Sequence, residues 1–241
     1  MRITSLLNQR HSDAYHASSV RIACLGDSVT HGCFDVYINR FGKIDTYYDS
    51  ASSYVRLLQD ALFRLFPACA VTVANCGISG DGTSGALPRF DRDVVPLCPD
   101  LVTVNLGLND CMAEDSDIAL ADYRDNLRSI FSKIHALGAE GMLVTPNRMC
   151  AYVDPMLPEG ILRDIAAQAA KRQVDGVLSA FVETARDVAR EFDAPIADTY
   201  AAWQALDRAG VDTTALLVNH INHPAKDMHR LFAQKILEQL F

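Results

Sequence analysis

Five short apolar runs, at residues 20–25, 71–76, 101–106, 141–145 and 194–198, constrain the fold of this chain more than any other sequence feature. Each is continuous rather than alternating, the pattern of a strand covered on both faces, as in parallel sheets. A parallel neighbour needs a long crossover, usually a helix, and the intervening sequence supplies helical patterns. Between 120 and 137, Leu120, Tyr123, Leu127, Ile130, Phe131, Ile134 and Leu137 recur at helical spacing, and Gly138 ends the run. Residues 53–66 repeat the pattern with Val55, Leu58, Leu62, Leu65 and Phe66, stopped by Pro67. Residues 161–192 read as one long helix or as two broken near Gly176. Residues 224–240 open with Pro224 at a first-turn position. The expectation is an α/β fold of the doubly wound type. Residues 20–241 form its single domain, after an N-terminal extension of residues 1–19.

Two stretches fit neither element. Residues 32–50 carry Phe34, Tyr37, Phe41, Tyr47 and Tyr48, and residues 147–160 carry Met149, Tyr152, Met156 and two prolines. Both follow expected strand ends, where open α/β sheets place their ligands, so both read as loops and candidate pocket walls. Ordinary packing accounts for such residues equally well.

Charge narrows the function. Lys and Arg number 22 against 30 Asp and Glu, a net charge of -8. That balance argues against nucleic acid or an anionic membrane as partner, since either calls for a clustered basic face. Residues 1–10 lack the apolar core of a secretory signal, and no apolar run approaches the ~18 residues of a membrane span. Seven cysteines, at 24, 33, 69, 76, 98, 111 and 150, form no CxxC pair. An odd, scattered set reads as reduced thiols in a cytoplasmic protein.

Four short blocks carry candidate chemistry. After the first run comes Gly26-Asp27-Ser28-Val29-Thr30-His31-Gly32, where a serine at a strand's carboxyl end has its hydroxyl raised into the cleft. Read blandly, this is a strand-to-helix turn capped by Asp27 or Ser28. After the second run comes Gly77-Ile78-Ser79-Gly80-Asp81-Gly82, whose glycines let backbone N–H groups approach an anion. After the third comes Gly107-Leu108-Asn109-Asp110, where an amide can reach the same cleft or simply close a turn. Near the C-terminus, Asn219-His220-Ile221-Asn222-His223-Pro224 offers an imidazole as base, metal ligand or loop residue.

Taken in order, Gly-Asp-Ser, Gly80, Gly-x-Asn-Asp and His-Pro before a last helix resemble the SGNH (GDSL-type) hydrolase family, over residues 21 to about 240. The resemblance implies a three-layer α/β/α sandwich on a five-stranded parallel sheet, flavodoxin-like in order. It implies hydrolysis of a small-molecule acyl ester through an acyl-enzyme intermediate, with no cofactor and no metal. Ser28 looks like the nucleophile and His223 the general base. The oxyanion hole would draw on the Ser28 and Gly80 backbone N–H groups and the Asn109 side-chain amide. Short-chain esters and acetylated carbohydrates are favoured over lipids, because no surface-active helix is evident. Oligomeric state is not legible.

One departure stands out. The family usually has Asp three residues before the catalytic His, and here that position is His220. An imidazole can hold the base in its tautomer but scarcely stabilises its charged form. Three arrangements remain open: a Ser-His dyad with a backbone carbonyl orienting His223, another carboxylate such as Asp227 or Asp198 in the vacated place, or reduced activity. The last merges with a rival from another class, a non-catalytic ligand-binding protein on the same fold. A metal site on His220 and His223, with His229 or His31, is disfavoured because no HExxH or carboxylate-rich pattern accompanies it.

Overall fold

The computed structural model describes residues 1–241. Strand β1, Val20–Gly26, is buried at every position except Arg21, as a strand with a helix layer on either side must be. It pairs in parallel with β4 (Val71–Gly77) on one side and β5 (Leu101–Asn105) on the other, from Val20↔Val71 to Gly26↔Gly77 and from Ile22↔Leu101 to Gly26↔Asn105. With β6 (Glu140–Val144) and β7 (Ile196–Ala197) the sheet order is β4-β1-β5-β6-β7, the flavodoxin-like arrangement. The chain leaves β1 toward β4 and then crosses back to β5. The carboxyl ends of these three strands therefore border the reversal point, where such sheets bind ligands.

Helices cover both faces. On one side α3 (Tyr54–Leu65) packs on β4 and on α9 (His229–Leu240), which lies over β7. On the other, α4 (Thr83–Asp93), α5 (Ser116–Ala136) and α7 (Val177–Glu191) stack in turn, with α5 and α7 on β6. The short α2 (Ser28–His31) follows β1 directly, while α6 (Ile161–Val174) and α8 (Thr199–Arg208) pack on α7 and α9. Residues ahead of β1, expected as an extension, form α1 (Arg2–Ser12), whose Ile3 and Leu7 enter the same core. Glu140 at the start of β6 accepts the Arg2 and Ile3 N–H groups at 2.8 and 2.7 Å. No helix is long and apolar enough to cross a membrane. All seven cysteines are unpaired, and only Cys98 is exposed.

Several boundaries differ from the sequence reading for local reasons. Helix α5 starts at Ser116 because Asp115 caps it, accepting the Asp117 and Ile118 N–H groups at 3.1 and 3.0 Å. Helix α9 starts at His229 rather than Pro224, since the preceding residues are drawn into turns. Residues 161–192 form two helices, meeting at Asp175 and Gly176. Strand β7 keeps only two residues, because Asp198 turns away to cap α8.

The larger correction concerns residues 32–50. They are no irregular loop but an antiparallel hairpin, β2 (Cys33–Ile38) and β3 (Ile44–Tyr48), paired from Cys33↔Tyr48 to Ile38↔Ile44. Tyr37, Ile38, Ile44, Tyr47 and Tyr48 are all exposed, so no half-buried alternation betrays the strands. Turn chemistry holds them instead: Asn39 Oδ1 accepts the Phe41 and Lys43 N–H groups at 2.9 and 3.2 Å. Residues 147–160, by contrast, carry no helix or strand.

Candidate active site

Strand β1 ends at Gly26, and Asp27 caps α2 by accepting the Val29 N–H at 3.0 Å. Ser28 is thereby the first residue of the helix, where a backbone N–H has no intrahelical acceptor. Its hydroxyl meets His223 across the cleft: Ser28 Oγ and His223 Nε2 are 2.9 Å apart, and both side chains are buried. A single amide builds the turn that delivers His223. Asn219 Oδ1 accepts the N–H groups of Ile221, Asn222 and His223 at 3.1, 3.0 and 2.9 Å. Burial pushes the His223 imidazole down to about 4, with the Phe34 backbone carbonyl pulling the other way. His223 Nδ1 makes no hydrogen bond within the chain.

Neither proposed substitute carboxylate reaches His223. Asp198 is held by Arg186 at 2.8 and 3.1 Å and by Thr145 at 3.0 Å, and it caps α8. Asp227 is exposed, with Arg230 its ion-pair partner at 3.5 Å. His220 does not face the base either. It sits at φ +55°, and its Nδ1 lies 2.9 Å from Asp154 Oδ2, outside hydrogen-bond geometry. His220 and His223 thus have separate partners, and nowhere do three or more His, Cys, Asp or Glu side chains converge as metal ligands would.

On the other side of Ser28, the segment after β4 makes a tight turn in which the Asp81 N–H returns to the Ile78 carbonyl at 3.2 Å. Gly80 occupies the third turn position at φ +80°, which a type II turn reserves for glycine. Its N–H enters no hydrogen bond within the chain. Asn109 Nδ2 donates to the Asp81 carbonyl at 2.7 Å, which fixes the amide and leaves its second N–H free. Beside Gly80 and Asn109 opens a cavity of about 500 Å³, walled in part by Thr83, Asp110, Asp122 and Asn126 and in part by Met112 and Tyr123.

Beneath this turn lies a buried charge cluster that sequence reasoning missed. Arg89 of α4 donates to Asp81 at 2.6 Å, to the Cys76 carbonyl at 2.7 Å and to the Gly26 carbonyl at 3.0 Å, binding the ends of β1 and β4 to the loop. An arginine on an amphipathic helix looks like a surface residue in sequence, and only its eight-residue spacing from Asp81 hints otherwise. Asp27 is fully buried, and desolvation, with the charges of Asp110 and Asp81, pushes its carboxyl up to about 7. The native state then holds this proton more tightly than the unfolded chain, so its contribution to stability falls as pH rises from about 4 to about 7. Asp27→Asn keeps the cap without a charge to bury. Its melting temperature should exceed that of wild type by several degrees at pH 8, with the gap closing near pH 4. A gap independent of pH in calorimetry would refute the burden assigned to Asp27.

Comparison with known proteins supplies the family. The model of the GDSL-like Lipase/Acylhydrolase family matches residues 24–231. An acetylxylan esterase of Geobacillus stearothermophilus is 24% identical over 209 residues, 83% of either chain. Among solved structures, Axe2, an acetylxylan esterase from Geobacillus stearothermophilus, superposes with a TM-score of 0.67 at 21% identity, over 92% of this chain and 94% of its own. LAE5, an alpha/beta hydrolase from the metagenome of Lake Arreo, Spain, gives 0.68 at 22% identity, over 95% and 98%. The acetyl xylan esterase AlAXEase gives 0.68 at 18% identity, over 91% and 98%. The structural likenesses bear on the fold, whereas the family match runs from within β1 into α9. By that match the chain belongs to the GDSL-like lipase/acylhydrolase family and is a hydrolase of carboxylic esters.

Proposed function

We propose that the chain is a serine esterase working through an acyl-enzyme intermediate, with Ser28 as nucleophile and His223 as base, on small esters and acetylated carbohydrates. The observation that carries this reading is the 2.9 Å contact of Ser28 Oγ with His223 Nε2 at the carboxyl end of β1. A serine hydroxyl attacks an ester only as its proton leaves, and a neutral imidazole within hydrogen-bond reach takes it. Burial keeps His223 neutral. The attack places a negative charge on the former carbonyl oxygen. The Ser28 and Gly80 N–H groups and the free Asn109 N–H are its donors, fixed before substrate arrives. His223 next returns the proton to the leaving alcohol, and water repeats the sequence on the acyl-enzyme.

The Phe34 backbone carbonyl supports part of the role of the usual aspartate, by favouring the charged form of His223. With the dyad in contact, replacement of that aspartate by His220 is no reason to prefer a non-catalytic ligand-binding protein. One observation favours a polar substrate over a long-chain lipid: a relative 24% identical to this chain is an acetylxylan esterase. A cytoplasmic location belongs to the same proposal, supported by the unpaired cysteines.

A fluorophosphonate carrying a reporter should label the protein at a single residue, and peptide mapping should find Ser28. Modification elsewhere, or undiminished turnover of p-nitrophenyl acetate by Ser28→Ala, would remove Ser28 from the chemistry.

A further inference from the structure

Three backbone N–H groups of the turn that presents Gly80 donate hydrogen bonds that hold it, and one of them ends on a side chain. The Ile78 N–H donates to the Gly26 carbonyl at 3.1 Å and the Asp81 N–H to the Ile78 carbonyl at 3.2 Å. Between them, the Ser79 N–H donates to His31 Nδ1 at 3.3 Å. Of the four consecutive N–H groups from 78 to 81, only that of Gly80 is left over.

His31 is itself well placed. It is the last residue of α2, three positions after Ser28, and its backbone N–H is tied to the Asp27 carbonyl at 2.9 Å. The Tyr48 ring packs on its imidazole at 4.6 Å between centroids. Strand β4 comes so near that a Cβ on Gly77 would stand 2.3 Å from the His31 backbone nitrogen, so the chain beyond Gly77 runs directly against α2. Because Nδ1 accepts an amide hydrogen, the neutral ring carries its own proton on Nε2.

We infer that His31 is a positioning residue for the oxyanion hole: its Nδ1 lone pair fixes the Ser79 peptide and so aims the Gly80 N–H at the substrate oxygen. This rests on the reading of Gly80 as an oxyanion donor, and adds a residue that touches no reacting atom. A donor rotated out of line helps the ground state and the transition state alike very little. Its loss therefore falls on kcat, with KM nearly constant.

The geometry of the amide side chains makes a sharp test. In asparagine the Oδ1 atom lies where histidine has Nδ1, whereas in glutamine the amide lies one bond farther, at the place of Nε2. Phenylalanine keeps the ring on Tyr48 but has no acceptor. With p-nitrophenyl acetate, His31→Phe and His31→Gln should lower kcat about 10- to 100-fold with KM within twofold of wild type. His31→Asn should recover most of the loss, and the melting temperatures of the three variants should not follow this order. Fluorophosphonate modification of Ser28, which also develops charge on an oxygen in the hole, should slow by a similar factor in His31→Phe. Full kcat in His31→Phe, or equal losses in the Asn and Phe variants, would overturn the inference. Absence of label on Ser28 in the wild-type protein would instead overturn the reading of the site on which it rests.

Discussion

Replacing His223 with alanine is expected to lower kcat by about 10^4-fold or more at neutral pH, because the Ser28 proton then has no acceptor. His220→Ala should stay within about tenfold of wild type, since His220 is engaged with Asp154 and not with the dyad. The two variants also separate in their pH profiles. The base must be neutral to act, and burial pushes His223 down to about 4. Activity should therefore persist as pH falls below the ordinary histidine value of 6.5, and kcat/KM should drop only as pH approaches about 4. In His220→Ala that acid limb should not move. If His220→Ala proves the more damaging substitution, the roles given to the two histidines are wrong; a wild-type limb near 6.5 would instead refute the effect of burial assigned to His223.

The second large effect is expected at Asn109. Removing one donor from an oxyanion hole typically costs ~10²–10³ in kcat. Asn109→Ala should show a loss of that size, with kcat and kcat/KM falling together and KM little changed. Asn109→Asp should do no better, although it keeps the shape, because a carboxylate offers the oxyanion no hydrogen and adds a like charge. The amide also braces the loop through its 2.7 Å bond to the Asp81 carbonyl. Measuring Ser28 fluorophosphonate labelling beside ester turnover distinguishes a lost donor, which slows both, from a collapsed loop, which also lowers the melting temperature. A raised KM at intact kcat would make Asn109 a ground-state binding group instead.

What was legible in the sequence was whatever burial writes into it. Strands β1 and β5 are covered by helices and read as apolar runs, and α3 and α5 show their buried stripes, whereas β4 at the sheet edge is half-exposed. The block order led to Ser28 and His223, which stand in contact though 195 residues apart in sequence. The hairpin was missed because its exposed strands have no buried face to impose a period of two. The partner of His220 was not legible, since nothing in local sequence tells that Asp154, not His223, lies opposite it. The contacts of Arg89 with the Gly26 carbonyl and of His31 with the Ser79 N–H were not legible for a related reason: a backbone group leaves no residue type to recognise.

The Phe34 carbonyl beside His223 has an evolutionary corollary. When a carboxylate orients a catalytic histidine, one codon change can abolish the device, and selection must guard that codon. A peptide carbonyl is present whatever amino acid stands there, so substitution alone does not delete it. The mutational target moves from the chemistry of a side chain to the path of a backbone. With that carbonyl in the aspartate's place, position 220 is released from orienting the base, and insertions or deletions near Cys33 and Phe34 become the damaging class of change. Homologous chains that keep the histidine at 220 should vary in hairpin sequence while conserving the number of residues between Ser28 and Phe34. Chains with an aspartate at 220 are released from that spacing.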